Sequence, residues 1–137
     1  MSQSSTEALS TLLKSINNFS YPISFIPEFY EDTIKLANKF ETINYDLKVF
    51  IQTSLKLYHE IKMDNDGIKK IKDLKDVSLF KADKFACRAL KGKGAKSGIE
   101  VIYSYSSKDN KIELIEMYFQ EDQKEQDLTR VSKYYKN

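Results

Sequence analysis

Apolar residues recur along this chain with two different periods, and the change of period divides it. Leu47, Phe50, Ile51, Leu55, Tyr58 and Ile61 fall three or four positions apart, the spacing of one helix face. Asn65-Asp66-Gly67 supplies turn chemistry to end that helix. Upstream, Pro27 suits the first turn of another helix, and Glu28, Glu31 and Asp32 follow where the helix dipole favours anions. Phe29, Ile34, Leu36, Ala37 and Phe40 form its predicted buried side. The connection around residues 41–45 is short, so the two helices are predicted to form an antiparallel hairpin. Residues 21–26 read as a strand, with Pro22 marking its start or a sheet edge. A short helix is predicted over residues 4–17, from the capping pair Ser4 and Glu7 and the stripe Leu9, Leu12, Leu13 and Ile16.

From Leu79 onward the period becomes two. Phe80–Leu90 is predicted as a strand. Ile99, Val101, Tyr103 and Tyr105 then alternate with Glu100, Ile102 and Ser104. Lys108-Asp109-Asn110 marks a hairpin turn. Beyond it Ile112, Leu114, Glu116 and Tyr118 alternate with Glu113, Ile115, Met117 and Phe119. Both faces are apolar in the middle, as in strands covered on at least one side. Asp122 and Glu125 are predicted to cap a last helix, with Leu128, Val131 and Tyr135 turned inward. The predicted class is α+β: a strand, then a helix hairpin packed on an antiparallel β-meander, then a C-terminal helix. Residues 1–19 form an additional N-terminal helical extension, and residues 20–137 form the main domain.

Length and composition narrow the function classes. A chain of 137 residues has room for one domain with a real core. No run approaches the ~18 apolar residues of a membrane span, so no membrane role is expected. The first seven residues lack the basic and then apolar pattern of a secretory leader. With a single cysteine, Cys87, no internal disulfide can form, and a cytoplasmic location is expected. One histidine and one cysteine exclude a zinc site of the usual His/Cys type. A carboxylate metal site stays open, but no acidic cluster has loop-ligand spacing, and neither metal nor cofactor is predicted. His59 adjoins the edge of the helical stripe and reads as a surface or boundary residue. Cys87 reads as a packed strand residue with no histidine beside it to activate it.

Charge is unevenly spread. Residues 62–96 carry eleven Lys and Arg against five Asp, a net of +6 in a chain of net +2, which leaves −4 for the remainder. Such a segment is the usual electrostatic footprint for a polyanion. It is equally what a solvated lysine-rich face looks like in a chain with 20 Lys and 2 Arg. The run Lys91-Gly92-Lys93-Gly94-Ala95-Lys96 lacks the spacing and the Lys-Ser/Thr pair of a Walker loop. Its glycines would let the backbone approach a ligand closely.

The order of predicted elements resembles that of the RelE/ParE toxin superfamily. The stretch from Lys91 through Ser97-Gly98 to Ile99-Glu100-Val101-Ile102-Tyr103 is similar to that family's small basic loop, Ser-Gly, and a strand ending in Tyr. Residues 112–122 resemble its next strand and residues 124–135 its last helix, so the resemblance covers residues 20–137.

The resemblance implies a type II toxin with a cognate antitoxin. Its nuclease members cut messenger RNA on the ribosome: the ribose 2′-hydroxyl attacks the neighbouring phosphate, and no metal is required. That chemistry needs a base, cations for the developing charge and an acid for the leaving oxygen. By resemblance the catalytic positions fall on Arg88, Glu100, Tyr118 and Gln120. RNA contacts fall on Lys84, Lys91, Lys93, Lys96 and the base-stacking aromatic Phe119. Arg88 keeps the expected charge. Glu100 stands where an arginine is common, and Gln120 near where a lysine or arginine ends the next strand. At ~4 Å and an effective dielectric near 20, a carboxylate facing phosphate costs on the order of 4 kcal/mol before screening. That is enough to remove a factor of roughly 10² to 10³ in rate. Glu100 is therefore read as the mark of a weak or lost site, as an exposed strand residue paired with a lysine, or as a general base. The competing functions are a non-catalytic binder on the same fold, acting on DNA gyrase or holding antitoxin or RNA, and a plain protein-interaction domain.

Overall fold

The computed structural model describes residues 9–16, 20–63 and 67–136. The predicted capping pair Ser4 and Glu7 and the turn residues Asn65 and Asp66 lie outside the described residues. Residues 9–14 are helical (α1). There follow β1 (Ile23–Phe25), α2 (Pro27–Lys39) and α3 (Ile43–Phe50), which runs directly into a wider π-helical stretch, Ile51–Glu60. Next come β2 (Ile68–Asp73), β3 (Ser78–Ala82), a single 3-10 turn at Gly94–Lys96, β4 (Ile99–Ser106), β5 (Lys111–Phe119) and α4 (Leu128–Tyr134). The class is α+β, and among the described residues the five strands form one sheet in the order β1-β5-β4-β3-β2. β1 lies parallel to β5, and every other pair is antiparallel.

The helix hairpin forms as its stripe predicts. Pro27 takes the first turn of α2, where its missing N–H leaves no helical bond unmade. Phe29, Leu36, Ile43, Leu47, Phe50, Ile51 and Leu55 are all buried. In the π-helical stretch Ile61 N donates to Lys56 O at 2.9 Å, a bond across five residues. The buried residues there are Ile51, Leu55 and His59, four apart. Ile34 is 43% exposed and Ile61 50% exposed, so both fall outside the buried face predicted for them.

The meander departs from the prediction at its start. The expected strand Phe80–Leu90 ends at Ala82; residues 83–87 pair with no strand, and a turn follows at 88–89. β2 was not anticipated. Its sequence, Ile68-Lys69-Lys70-Ile71-Lys72-Asp73, is mostly exposed and lysine-rich because it is the sheet edge, where lysines discourage pairing with another chain. The cap of α4 is Asp127, not Asp122 or Glu125: Asp127 Oδ1 accepts from Thr129 N at 3.0 Å. Asp122 instead pairs with Lys39 at 3.0 Å. Leu128, expected inward, is 53% exposed, whereas Val131 is buried.

Register sorts the strand residues onto two faces. Ile99, Val101 and Tyr103 of β4 share one face with Phe80 and Ala82 of β3 and with Phe119, Met117 and Leu114 of β5. The helices cover it: Phe40 meets Phe119 edge-on at 5.0 Å, and His59 meets Phe80 at 5.0 Å. The other face carries Glu100, Ile102 and Ser104, with Leu79 and Lys81 on one side and Tyr118, Glu116 and Glu113 on the other. The segment 123–136 crosses this second face, bonding Glu116 through Gln123 and Asp127, and Ser104 and Glu113 through Tyr135. In α1, Leu9 and Leu13 are buried in the same core cluster as the sheet, as is Ile16 just beyond it. Among the described residues, no helix is long and apolar enough to cross a membrane.

Candidate functional site

Glu100 sits on the second face, opposite Tyr118 and diagonal to Lys81, because Lys81 pairs with Ile102 two positions along β4. At 4% exposure it is buried. Tyr118 Oη donates to Glu100 Oε1 at 2.5 Å, and Gln120 Nε2 donates to Glu100 Oε2 at 2.5 Å. Lys81 Nζ lies 3.4 Å from Oε1. Hydrogen bonds and an opposite charge are what allow a carboxylate to be buried. Burial, and then the hydrogen bond to the Glu100 carboxylate, push the Tyr118 phenol far above its ordinary value. Tyr118 is therefore a fixed neutral donor. Each oxygen of Glu100 accepts one of these hydrogen bonds, and the reading as an exposed strand residue is corrected: the lysine partner is there, but the carboxylate is buried.

The second feature is the loop from residue 88 to residue 98. No acidic residue occurs between Lys84 and Ile99. Lys91, Lys93 and Lys96 are exposed, and Gly92 and Gly94 take positive φ values of 81° and 53°, which side chains rarely adopt. The loop is pinned at both ends. Buried Asp46 accepts from Thr42 Oγ1 at 2.7 Å and from Arg88 N at 3.1 Å, while Ala89 N donates to Thr42 Oγ1 at 3.0 Å. At the far end buried Ser97 donates to the Phe85 carbonyl and accepts from Ile99 N at 3.1 Å. Gln120 N donates to Gly98 O at 2.8 Å, tying the loop exit to the Glu100 cluster.

Of the residues singled out from sequence, the structure thus brings Glu100, Tyr118 and Gln120 together. Lys91, Lys93 and Lys96 share one exposed loop beside them. Arg88 is not part of the Glu100 cluster: it opens the loop, in the turn at 88–89, with its guanidinium 4.9 Å from the centre of the Tyr45 ring. Phe119 is on the helix-covered face, 7% exposed against Phe40, so its ring has no open face for a base. Lys84 is exposed, and its stem lies over Gly67, where an added Cβ would come within 2.9 Å of Lys84 Cβ. Sequence reasoning missed Lys81, Thr42 and Asp46. Lys81 becomes a partner of Glu100 only once the β3–β4 register is known, and its signal, a lysine inside an alternating run, is weak.

Two other groups differ from expectation. His59 is buried, its Nε2 2.8 Å from Tyr103 Oη, within a ring of Tyr58, Phe80 and Tyr105. Burial, then the nearby Lys62 charge, lowers its pKa to about 4. Cys87 is packed as expected but in the irregular segment, not a strand, and burial pushes its thiol up. Among the described residues no group of three or more His, Cys, Asp or Glu could hold a metal ion.

No protein-family model matches the chain, and a search of curated proteins finds no match. Among solved structures, the chain is similar to the archaeal RelE–RelB complex from Pyrococcus horikoshii OT3, with 14% identity and a TM-score of 0.47, over 74% of this chain and 97% of that one.

Proposed function

We propose that this chain is the toxin-type member of a type II toxin–antitoxin pair, RelE-like in build, in which messenger-RNA cleavage is weak or lost and binding remains. The element order and the run from Lys91 to Tyr103 support the relation. The observation that carries the loss is the Glu100 carboxylate, buried between Tyr118, Gln120 and Lys81. A cleavage site of this kind must present cations to a phosphate gaining charge. Here the nearest ammonium, Lys81, already faces a carboxylate, and Tyr118 and Gln120 spend their protons on the same group. A phosphate brought there would meet a neutralised cation and a fixed anion. An antitoxin is the expected protein partner, and the ribosome with its message, or gyrase as the alternative, is the expected target.

Primer extension on a translated message tests this reading. Wild type should leave no A-site cuts, or faint ones, and Glu100→Gln should not remove an activity. Vigorous wild-type cleavage that disappears in Glu100→Gln would show that Glu100 is catalytic. Absence of cutting in both calls for a supercoiling assay, which reads inhibition of gyrase directly.

A further inference from the structure

Tyr118 Oη, Gln120 Nε2 and Lys81 Nζ all point at one carboxylate from three directions, at 2.5, 2.5 and 3.4 Å. A carboxylate and a tetrahedral oxyanion offer donors a similar pair of oxygens, which is why the same side chains recognise both. We propose that these three residues form a complete oxyanion cradle, and that Glu100 is its built-in occupant: the protein fills the site with its own carboxylate and so excludes a free oxyanion. This stands on the geometry of the cluster and is independent of the toxin reading.

Several features fit. The cradle is walled by strands, with Glu100 and Tyr118 both 4% exposed, yet it has a way in, because the Lys81 side chain is 26% exposed and Gln120 lies at the surface. Removing the carboxylate would leave a half-buried ammonium, a buried phenol and an amide without an acceptor, an arrangement that strongly favours a replacement anion. The other charges nearby set the strength. Lys69, opposite Lys81 on β2, adds positive potential, although it pairs with Asp83 at 3.9 Å. Glu116 and Glu125 oppose an anion, and both act on Tyr118. The Glu116 oxygens are taken by Asp127 N at 2.8 Å and Gln123 Nε2 at 2.6 Å. Binding of a simple oxyanion should therefore be of millimolar strength.

The test is thermal melting of wild type, Glu100→Ala, and Glu100→Ala with Lys81→Met, each in 50 mM inorganic phosphate and in sodium chloride of equal ionic strength. Phosphate should raise the Tm of Glu100→Ala by about 3–5 °C more than it raises wild type, as linkage predicts for a site with a Kd of roughly 5–10 mM. The wild-type response measures the general stabilising effect of phosphate. Adding Lys81→Met should abolish the difference. Equal phosphate responses in wild type and Glu100→Ala, or a difference that survives Lys81→Met, would overturn the proposal. If Glu100→Ala does not fold in chloride, its refolding from urea with and without phosphate reads the same site. Recovery confined to phosphate supports the cradle, and equal recovery, or none in either, overturns it.

Discussion

The two faces of the sheet are buried by different means. Under the helix hairpin the contacts are largely apolar and aromatic, with the buried His59–Tyr103 hydrogen bond as an exception: Tyr103, Phe29, Leu47, Ile51, Leu55 and Leu114 have no more than trace exposure. On the opposite face, under the segment 123–136, the strands bury Glu100, Glu116 and Ser104 beside Leu79 and Ile102. Each of those polar groups has a partner, and α4 is fastened largely by polar links. Arg130 Nη1 reaches Asp32 Oδ2 at 2.6 Å and the Ile115 carbonyl at 3.0 Å, while Lys133 and Tyr134 both bond Glu28. Apolar burial is non-directional, so the first face stabilises the fold without specifying chemistry. The second places charge and donors at defined positions.

The sharpest break in that comparison is a cavity under the hairpin. Phe50 is 5% exposed, with its ring centre 5.5 Å from that of Phe85. Phe50→Ala should cost about 3–5 kcal/mol in urea unfolding. A change within error would sink the packing account.

Next in size is a pH effect from the same face. His59 has a folded pKa of about 4 against an ordinary value near 6.5, so in the window between them the unfolded chain binds the extra proton. Stability from this group is complete above about pH 6.5 and declines as pH falls toward 4, by on the order of 3 kcal/mol. Replacing His59 with Leu should flatten that part of the stability–pH curve, and a slope unchanged in the variant would assign the effect elsewhere.

On the polar face the corresponding break is Arg130→Met. It leaves the Asp32 carboxyl, already pushed up by burial, without its main counter-charge. With both side chains slightly exposed, a loss of about 2 kcal/mol is expected. Adding Asp32→Asn should restore much of it, because the uncompensated charge is then gone. A double variant no more stable than the single would mean that Arg130 acts by packing.

The smallest expected change in stability comes from the loop. Lys91, Lys93 and Lys96 are exposed, and replacing all three with Ala should leave the Tm within error. If the loop contacts RNA phosphates, the slope of log binding constant against log salt should fall by about 2. An unchanged slope would place the contact on another surface.

The helix hairpin was legible in the sequence because each buried side chain there recurs at a local interval, and so was the β4–β5 hairpin, whose alternation is long and whose turn is plain. β2 was hidden, since an edge strand need not alternate, and β3 was carried on to Leu90 although it ends at Ala82, because apolar residues continue to alternate through the irregular segment that follows, at Phe85 and Cys87. The site divides in the same way. Glu100, Tyr118 and Gln120 were singled out through the family resemblance, and the Lys91–Lys96 loop as a basic run, which is a property of residue type and order. Burial of Glu100, its pairing with Lys81 and the removal of Phe119 to the other face follow from strand register and from what covers each face. Those are set by contacts between residues far apart in the chain. Local periodicity carries no record of them, so the tertiary structure alone decided that this carboxylate is held rather than free.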